Sequence, residues 1–277
     1  MVEYRSVPAN AAEHRRWNDP YWTRVWPKRE ELTGVVTKLL LDHLRLLAGE
    51  QVLDIGCGGG TTSLKAARLV GPRGNVVGAD ISRDLVELAR SRAAAQGAAN
   101  VRFVVADAQT DVIDGGPFGA AFSQFGVMFF DDPLLAFTNI RAQVSPGGRL
   151  VFACWRGMSA NPWHIAHAVG DLISSVPRAP DAVPPGPFSL SDPVRTDQLL
   201  GAAGWADLHC APYDVIVSVT RDALVDDDQP AFMGVPEERL AEARAAVDRH
   251  LAAFDQGDGR YRVPLAYQVF TAANPGV

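Results

Sequence analysis

The stretch VLDIGCGGGTT, residues 52–62, constrains the fold of this chain more than any other. Two apolar residues run into Asp54, and four glycines occupy the next six positions. Glycine loses more backbone entropy on folding than any other residue, so this density predicts a tight turn whose backbone approaches something closely. The apolar run before it reads as a strand over 51–54, and the segment after it as a helix to about Val70. A glycine turn between strand and helix brings a ligand onto backbone N–H groups.

The chain repeats this alternation. Val35, Val36, Leu39, Leu40, His43, Leu44 and Leu47 have helical spacing and predict a helix from about Thr33, stopped by Gly49. NVVGAD (75–80) and VRFVVAD (101–107) read as strands around a helix with Ser82 as N-cap and Gly97 as terminator. FGAAFSQF (118–125) is a fourth strand, Pro133 opens a helix to about Val144, and RLVFACW (149–155) is a fifth strand. Such alternation predicts an α/β fold, a mostly parallel sheet with helices on both faces.

After Trp155 the pattern changes. NPWHIAHAVGDLISSV (161–176) reads as a helix, 177–188 as a Pro-rich loop, and SDPVRTDQLLGAAGW (191–205) as a capped helix. LHCAPYDVIVSV (208–219) and RVPLAYQVFTA (262–272) are strands. Between them DALVDDDQPAFMG and PEERLAEARAAVDRHLAAF predict helices, the second amphipathic through Leu240, Ala243, Val247, Leu251 and Phe254, and Asp226–Asp228 reads as a solvated loop. The expected organisation is an N-terminal helical cap segment (1–47), a nucleotide-binding core (48–156), and lid helices with an antiparallel completion of the sheet (157–277).

With 277 residues the chain is long enough for one sizeable core. A formal charge of −6 without a dense Lys/Arg stripe gives no reason to expect a nucleic-acid partner. No apolar run reaches the length of a membrane helix, and the first residues lack the apolar centre of a signal peptide. Cys57, Cys154 and Cys210 are scattered without a CxxC, so neither a disulfide framework nor a cysteine-rich metal site is expected, and a cytoplasmic setting is.

Three acids narrow the ligand. Asp54 beside the glycine turn would repel a pyrophosphate and suits a ligand with a cationic group; it also suits capping of the next helix. Thr61 stands where a dinucleotide fingerprint has its third glycine. Asp80 ends the second strand, where an acid binds ribose hydroxyls in this architecture. A carboxylate is acceptor-only and takes both vicinal hydroxyl protons. Ile81 follows and suits an adenine face, and Asp107 is placed to accept the adenine amino hydrogen. Each alone could be a surface aspartate at a strand end, but three in succession on one sheet edge point to a nucleoside.

VLDIGCGGG, VVGADIS, VRFVVADA and VSPGGRLVFACW resemble, in order and spacing, the motifs of class I S-adenosylmethionine-dependent methyltransferases, which have a Rossmann-like, mostly parallel seven-stranded sheet. SQFGVMFFDDP, CWR, NPW and PGPFSLSDP are similar to a bacterial subgroup related to ubiquinone/menaquinone-type methyltransferases. The resemblance implies that Gly56 and Gly58 line the methionyl part of S-adenosylmethionine and that Asp54 helps hold its amino group. It further implies that Asp80 binds the ribose, that Ile81, Asp107 and Ala108 face the adenine, and that Ser123 and Gln124 lie beside the methionyl chain. The subgroup often has Arg where Gln124 stands, so a charged contact is lost there.

The expected activity is methyl transfer to a small hydrophobic or aromatic metabolite. The sulfonium is a good leaving group, so orientation of the acceptor dominates and no conspicuous catalytic motif is needed. Trp17, Tyr21, Trp22 and Trp26 suit either a staple onto the core or a pocket wall. Trp26 and Trp155 are the substrate candidates and His164, beside Trp163, is the candidate base. His164 and His167 share a helical face without an acidic or cysteine partner, so no metal site is expected. The amphipathic C-terminal helix packs on its own domain or forms a homodimer face. Rival readings are an NAD-dependent oxidoreductase, opposed by Asp54 and Thr61, and a non-catalytic S-adenosylmethionine-binding module.

Overall fold

The computed structural model describes residues 10–173 and 183–276. Its centre is a seven-stranded sheet in the order β3-β2-β1-β4-β5-β7-β6. The strands are β1 (Gln51–Ile55), β2 (Asn75–Asp80), β3 (Val101–Val105), β4 (Phe118–Gln124), β5 (Val144–Trp155), β6 (Ala206–Thr220) and β7 (Arg260–Ala273). Strands β1 to β5 pair in parallel, and β7 runs antiparallel to both β5 and β6. Val52, Leu53, Asp54 and Ile55 are all buried. Successive strand residues point to opposite faces, so both faces of β1 are covered. Phe152 stacks on its cross-strand partner Phe270 with centroids 5.0 Å apart.

Ten helices surround the sheet in the described residues: α1 (Ala11–Trp17), α2 (Pro20–Leu44), α3 (Thr61–Val70), α4 (Arg83–Ala95), α5 (Pro133–Gln143), α6 (Ala166–Val169), α7 (Pro193–Ala202), α8 (Arg221–Leu224), α9 (Gln229–Phe232) and α10 (Leu240–Leu251). The Ser82 side chain accepts from Leu85 N–H at the start of α4, as its cap position predicts. Asp132 and Asp192 cap α5 and α7 in the same way, each followed by Pro at the first helical position.

Four expectations are corrected. The helix expected from about Thr33 is α2, which starts at Pro20 and runs through Pro27 to Leu44. Its buried stripe is Tyr21, Val25, Leu32, Val36, Leu40, Leu41 and Leu44, whereas Val35 and Leu47 are exposed. The helix expected over 161–176 is, in the described residues, a short α6 between two 3-10 turns; 174–176 and the Pro-rich 177–182 lie outside them. Asn161 explains the break: its amide donates to Arg156 and Ala266 carbonyls and accepts from Ala266 N–H, which pins this segment to the middle of β7. DALVDDDQPAFMG is two single turns, α8 and α9, rather than one helix.

Of the acid run between those turns, Asp227 and Asp228 are exposed in a loop as expected, but Asp226 is largely buried. Asp226 pairs with Arg29 (3.3 Å) and accepts from the Tyr21 hydroxyl (2.8 Å), and Asp228 pairs with Arg24 (2.7 Å). Lys28 reaches Asp222 at 2.5 Å, so the N-terminal half of α2 is fastened to the segment between β6 and α10. The amphipathic helix α10 buries Ala243, Val247 and Leu251 and packs beside α6 of its own chain. No helix among the described residues is long and apolar enough to cross a membrane.

Candidate active site

The glycine turn lies between β1 and α3, and its shape depends on residues without a Cβ. Gly56, Gly58 and Gly60 have φ of 66°, 52° and 81°. A Cβ on Gly56 would stand 2.8 Å from the Cα of Gly126, and one on Gly58 would overlap the Trp26 ring. Backbone N–H groups of Gly56 and Cys57 donate to the Ala79 carbonyl and tie the turn to β2. Asp80 completes the tie: one carboxylate oxygen accepts from Gly58 N–H and the other from Ser82 N–H, both at 2.8 Å. Burial raises the Asp80 pKa above its ordinary value, and these backbone bonds oppose the rise.

Asp54 is fully buried under the turn and is not part of the cavity wall. One carboxylate oxygen accepts from the Thr62 and Ser63 hydroxyls, both at 2.6 Å, and the other has no partner. Burial pushes its pKa from an ordinary 3.8 up to about 7, opposed by the two hydroxyls and reinforced by Asp80. The folded protein therefore holds a proton that the unfolded chain has lost, in the window between those values. This contribution to stability falls as pH rises through the window. Asp54→Asn is expected to gain in Tm relative to wild type as pH rises from about 4 to about 7, and to gain no more above that, followed by differential scanning calorimetry. A difference that stays constant with pH would show that Asp54 is ionised throughout.

Asp107 lies two residues past the end of β3 and is buried. One oxygen accepts from Gln109 N–H (3.0 Å) and the Asn10 amide (3.4 Å). The other has no hydrogen bond, with His14 Nε2 at 3.7 Å. Ile81 and Ala108 line the cavity beside it. Ser123 does not: its hydroxyl donates to the Ile55 carbonyl and accepts from Gly126 and Val127 N–H groups, which shapes the turn after β4. Gln124 lines the cavity, with its amide donating to the Thr33 carbonyl and its carbonyl oxygen buried without a partner.

These residues meet in one cavity of about 280 Å³. Gly56, Asp80, Ile81, Asp107, Ala108, Gln124, Trp26, Trp155 and His164 all belong to its wall. Trp26 lies against Gly58 and Gly59 and donates to Glu30, so it covers the glycine turn. Trp155, two strands away at the end of β5, stacks on Phe125 at 4.1 Å. Phe125 holds a left-handed backbone, φ 64°, which is costly for a bulky residue and is fixed here by that stack. The row continues from Trp155 to Trp163 (5.7 Å), His164 (5.8 Å) and Phe188 (5.1 Å).

His164 is at the cavity but is a poor base. Burial lowers its pKa to about 4, with His167, Arg29 and His250 adding to the effect. A group of that basicity captures a proton weakly at neutral pH. Sequence reasoning missed Gly126, whose Cα packs on Gly56, and Arg29, which holds Asp226 and Gln229 at the cavity wall. It also missed Asn10 and His14, which reach Asp107. The glycine directly after a strand-end Ser-Gln-Phe was a usable sign for the first; the others depend on contacts with distant segments.

Fold and site together define a nucleoside-binding α/β protein with an aromatic compartment beside the nucleoside position. Residues 46–178, just under half of the chain, match the family described as a methyltransferase domain. That stretch is a class I S-adenosylmethionine-dependent methyltransferase domain, related to the UbiE-type enzymes. Aklanonic acid methyltransferase DauC of Streptomyces sp. (strain C5) is 35% identical over 113 residues, 41% of this chain and 51% of that protein. Nocamycin O-methyltransferase of Saccharothrix syringae is 30% identical over 177 residues, 62% of this chain and 61% of that protein. The ubiquinone/menaquinone biosynthesis C-methyltransferase UbiE of Pseudomonas putida is 37% identical over 105 residues, 38% of this chain and 41% of that protein. The chain thus spans less than two thirds of each of these relatives. Among solved structures, the YcgJ protein of Bacillus subtilis superposes with a TM-score of 0.60 at 18% identity, over 88% of this chain and all of that one, and shows the same Rossmann-like fold.

Proposed function

We propose that the chain transfers the methyl group of S-adenosylmethionine to a small, largely apolar, aromatic molecule. The observation that carries this reading is the continuity of the cavity. Its wall joins Asp80, Ile81, Asp107 and Ala108, at the ends of β2 and β3, to Phe129, Phe130, Trp155 and Trp163. A nucleoside cofactor and an aromatic acceptor would share that one space. The names of the aklanonic acid and nocamycin enzymes support a small-molecule acceptor.

The residues present fit the cofactor. Each Asp80 oxygen has accepted one backbone N–H and keeps a further lone pair for a ribose hydroxyl. The unbonded oxygen of Asp107 suits an adenine amino group, and the unbonded carbonyl of Gln124 suits a donor on the methionyl chain. Asp54 lies beneath the turn outside the cavity wall and keeps its proton up to about pH 7, so it braces the turn from below and is not among the cofactor contacts. S-adenosylmethionine, when bound, supplies a methyl group on a sulfonium. The protein's own contribution is orientation of the acceptor and exclusion of water by the aromatic wall. A neutral His164 takes no proton, so the reading favours an acceptor atom that reacts without a strong base.

Cofactor-stripped protein is expected to bind S-adenosylhomocysteine with a micromolar Kd, about −8 kcal/mol, and NAD is expected not to compete. Calorimetry without heat, together with no thermal shift, would overturn the reading. Turnover of methyl-labelled cofactor with a panel of aromatic metabolites then separates an enzyme from a binding module.

A further inference from the structure

The wall around Trp155 has an unequal inventory of polar groups. His164 Nδ1 accepts from Ala166 N–H at 3.2 Å, so a neutral imidazole there carries its proton on Nε2. Among the described residues Nε2 has no hydrogen-bond partner, and His164 lines the cavity. The Trp163 indole N–H is buried without a partner, and Trp163, 5% exposed, lines the same cavity. The Trp22 indole N–H, also at the cavity wall, has none either. The two buried indole donors left unsatisfied cost free energy, and the half-buried His164 adds a third N–H, so this wall favours an occupant that accepts hydrogen bonds.

Glu13 and Glu30, also in the cavity wall, are already engaged. Glu13 accepts from Trp17 Nε1, and Glu30 accepts from Trp26 Nε1, Thr61 and Arg92. Gln229 has its carbonyl on Arg29. The free acceptors in the wall, the Asn10 and Gln124 side-chain carbonyls and one Asp107 oxygen, are those the proposed cofactor would engage, and the row from Trp155 to His164 carries N–H donors. An aromatic face calls for a planar ring, and unpaired N–H groups call for oxygen lone pairs on it.

We propose that His164, as a neutral Nε2–H donor, and Trp163 together recognise a carbonyl or phenolate oxygen on a planar aromatic methyl acceptor. This rests on the methyltransferase reading and gives its acceptor a chemical class. His164 is thereby a specificity residue that orients the acceptor by an oxygen, not a base that deprotonates it. The shared oxygen would fix the ring in its plane, and the stack of Phe125 on Trp155 would set the depth to which the ring enters.

The test compares two unreactive bicyclic probes that differ only in an oxygen, 1-tetralone and its hydrocarbon counterpart tetralin. Both are titrated calorimetrically into full-length protein saturated with S-adenosylhomocysteine. Saturation is established first, so failure to bind the cofactor product counts against the methyltransferase reading and not against this one. The ketone is expected to bind about 5- to 10-fold more tightly than the hydrocarbon, the value of one or two neutral hydrogen bonds. His164→Phe is expected to remove most of that preference while leaving tetralin binding near the wild-type value. His164→Gln, which keeps an N–H donor, is expected to restore it in part, and Trp163→Phe to reduce it. Damage to the wall alone would weaken both probes equally and leave their ratio unchanged. A saturated protein that binds the two probes equally, fails to bind the ketone, or keeps its preference in His164→Phe would overturn the proposal.

Discussion

Asp80→Ala is expected to weaken S-adenosylhomocysteine binding by a hundredfold or more. Two charge-assisted hydrogen bonds to ribose would be lost, each worth roughly 1.5–3 kcal/mol, and the sum is discounted for non-additivity. The structure adds a second consequence. The same carboxylate accepts from Gly58 and Ser82, so the substitution strands two N–H groups and loosens the glycine turn. Part of the affinity loss should therefore appear as a lower Tm of the unliganded protein. Asp80→Asn keeps one acceptor oxygen and sets an amide donor against the other N–H, so it should fall between alanine and wild type. Titration of the three proteins with S-adenosylhomocysteine, beside melts without ligand, resolves the two contributions. Equal affinities would remove Asp80 from the site.

Gly56→Ala should produce the second large effect, on the fold as well as on the ligand. Its φ of 66° strains any residue with a Cβ by about 1–2 kcal/mol. The new Cβ also meets the Gly126 Cα at 2.8 Å, and two backbones cannot part as a flexible side chain can. Overpacking of that kind adds about 1–3 kcal/mol, for a total destabilisation of roughly 2–5 kcal/mol with a displaced turn. Gly97→Ala is the control: φ is 60° there, but nothing lies within 4 Å of the added atom. It should cost only the strain and leave cofactor binding intact. Equal losses of stability in urea for the two variants would mean that the contact with Gly126 yields, and that the turn is not braced from behind.

The sheet was legible because its signals are local. Strands such as NVVGAD and VRFVVAD are short apolar runs between glycine turns and capped helices, and Ser82 and Pro133 mark their helices by their own chemistry. The cofactor half of the cavity was legible for the same reason: Asp80, Ile81, Asp107 and Ala108 sit at or just beyond strand ends. Features that depend on distant partners were not. PYWTRVWPKREEL reads as an aromatic cluster ahead of the helix, yet it is helical: Tyr21, Val25 and Leu32 are buried, and Arg24, Lys28 and Arg29 find aspartates about two hundred residues away. Asp226 looked solvated for the mirror-image reason. Ser123 looked like a ligand contact because its position along the strand is right, but its hydroxyl is used up by the backbone beneath it. No sequence signal reveals a tautomer, and the Ala166 N–H that fixes His164 lies outside any motif.

Helix α2 serves two regions at once. Its C-terminal half, through Val36, Leu40 and Leu44, belongs to the core, and its N-terminal half lays Trp26 on the glycine turn and Arg29 in the cavity wall. Melting and occupancy are thereby thermodynamically linked through one rigid rod. Cofactor at a hundred times its Kd adds about 2.7 kcal/mol to the unfolding free energy of the whole fold by mass action. Heat resistance and cofactor retention in this chain are then two readings of one equilibrium.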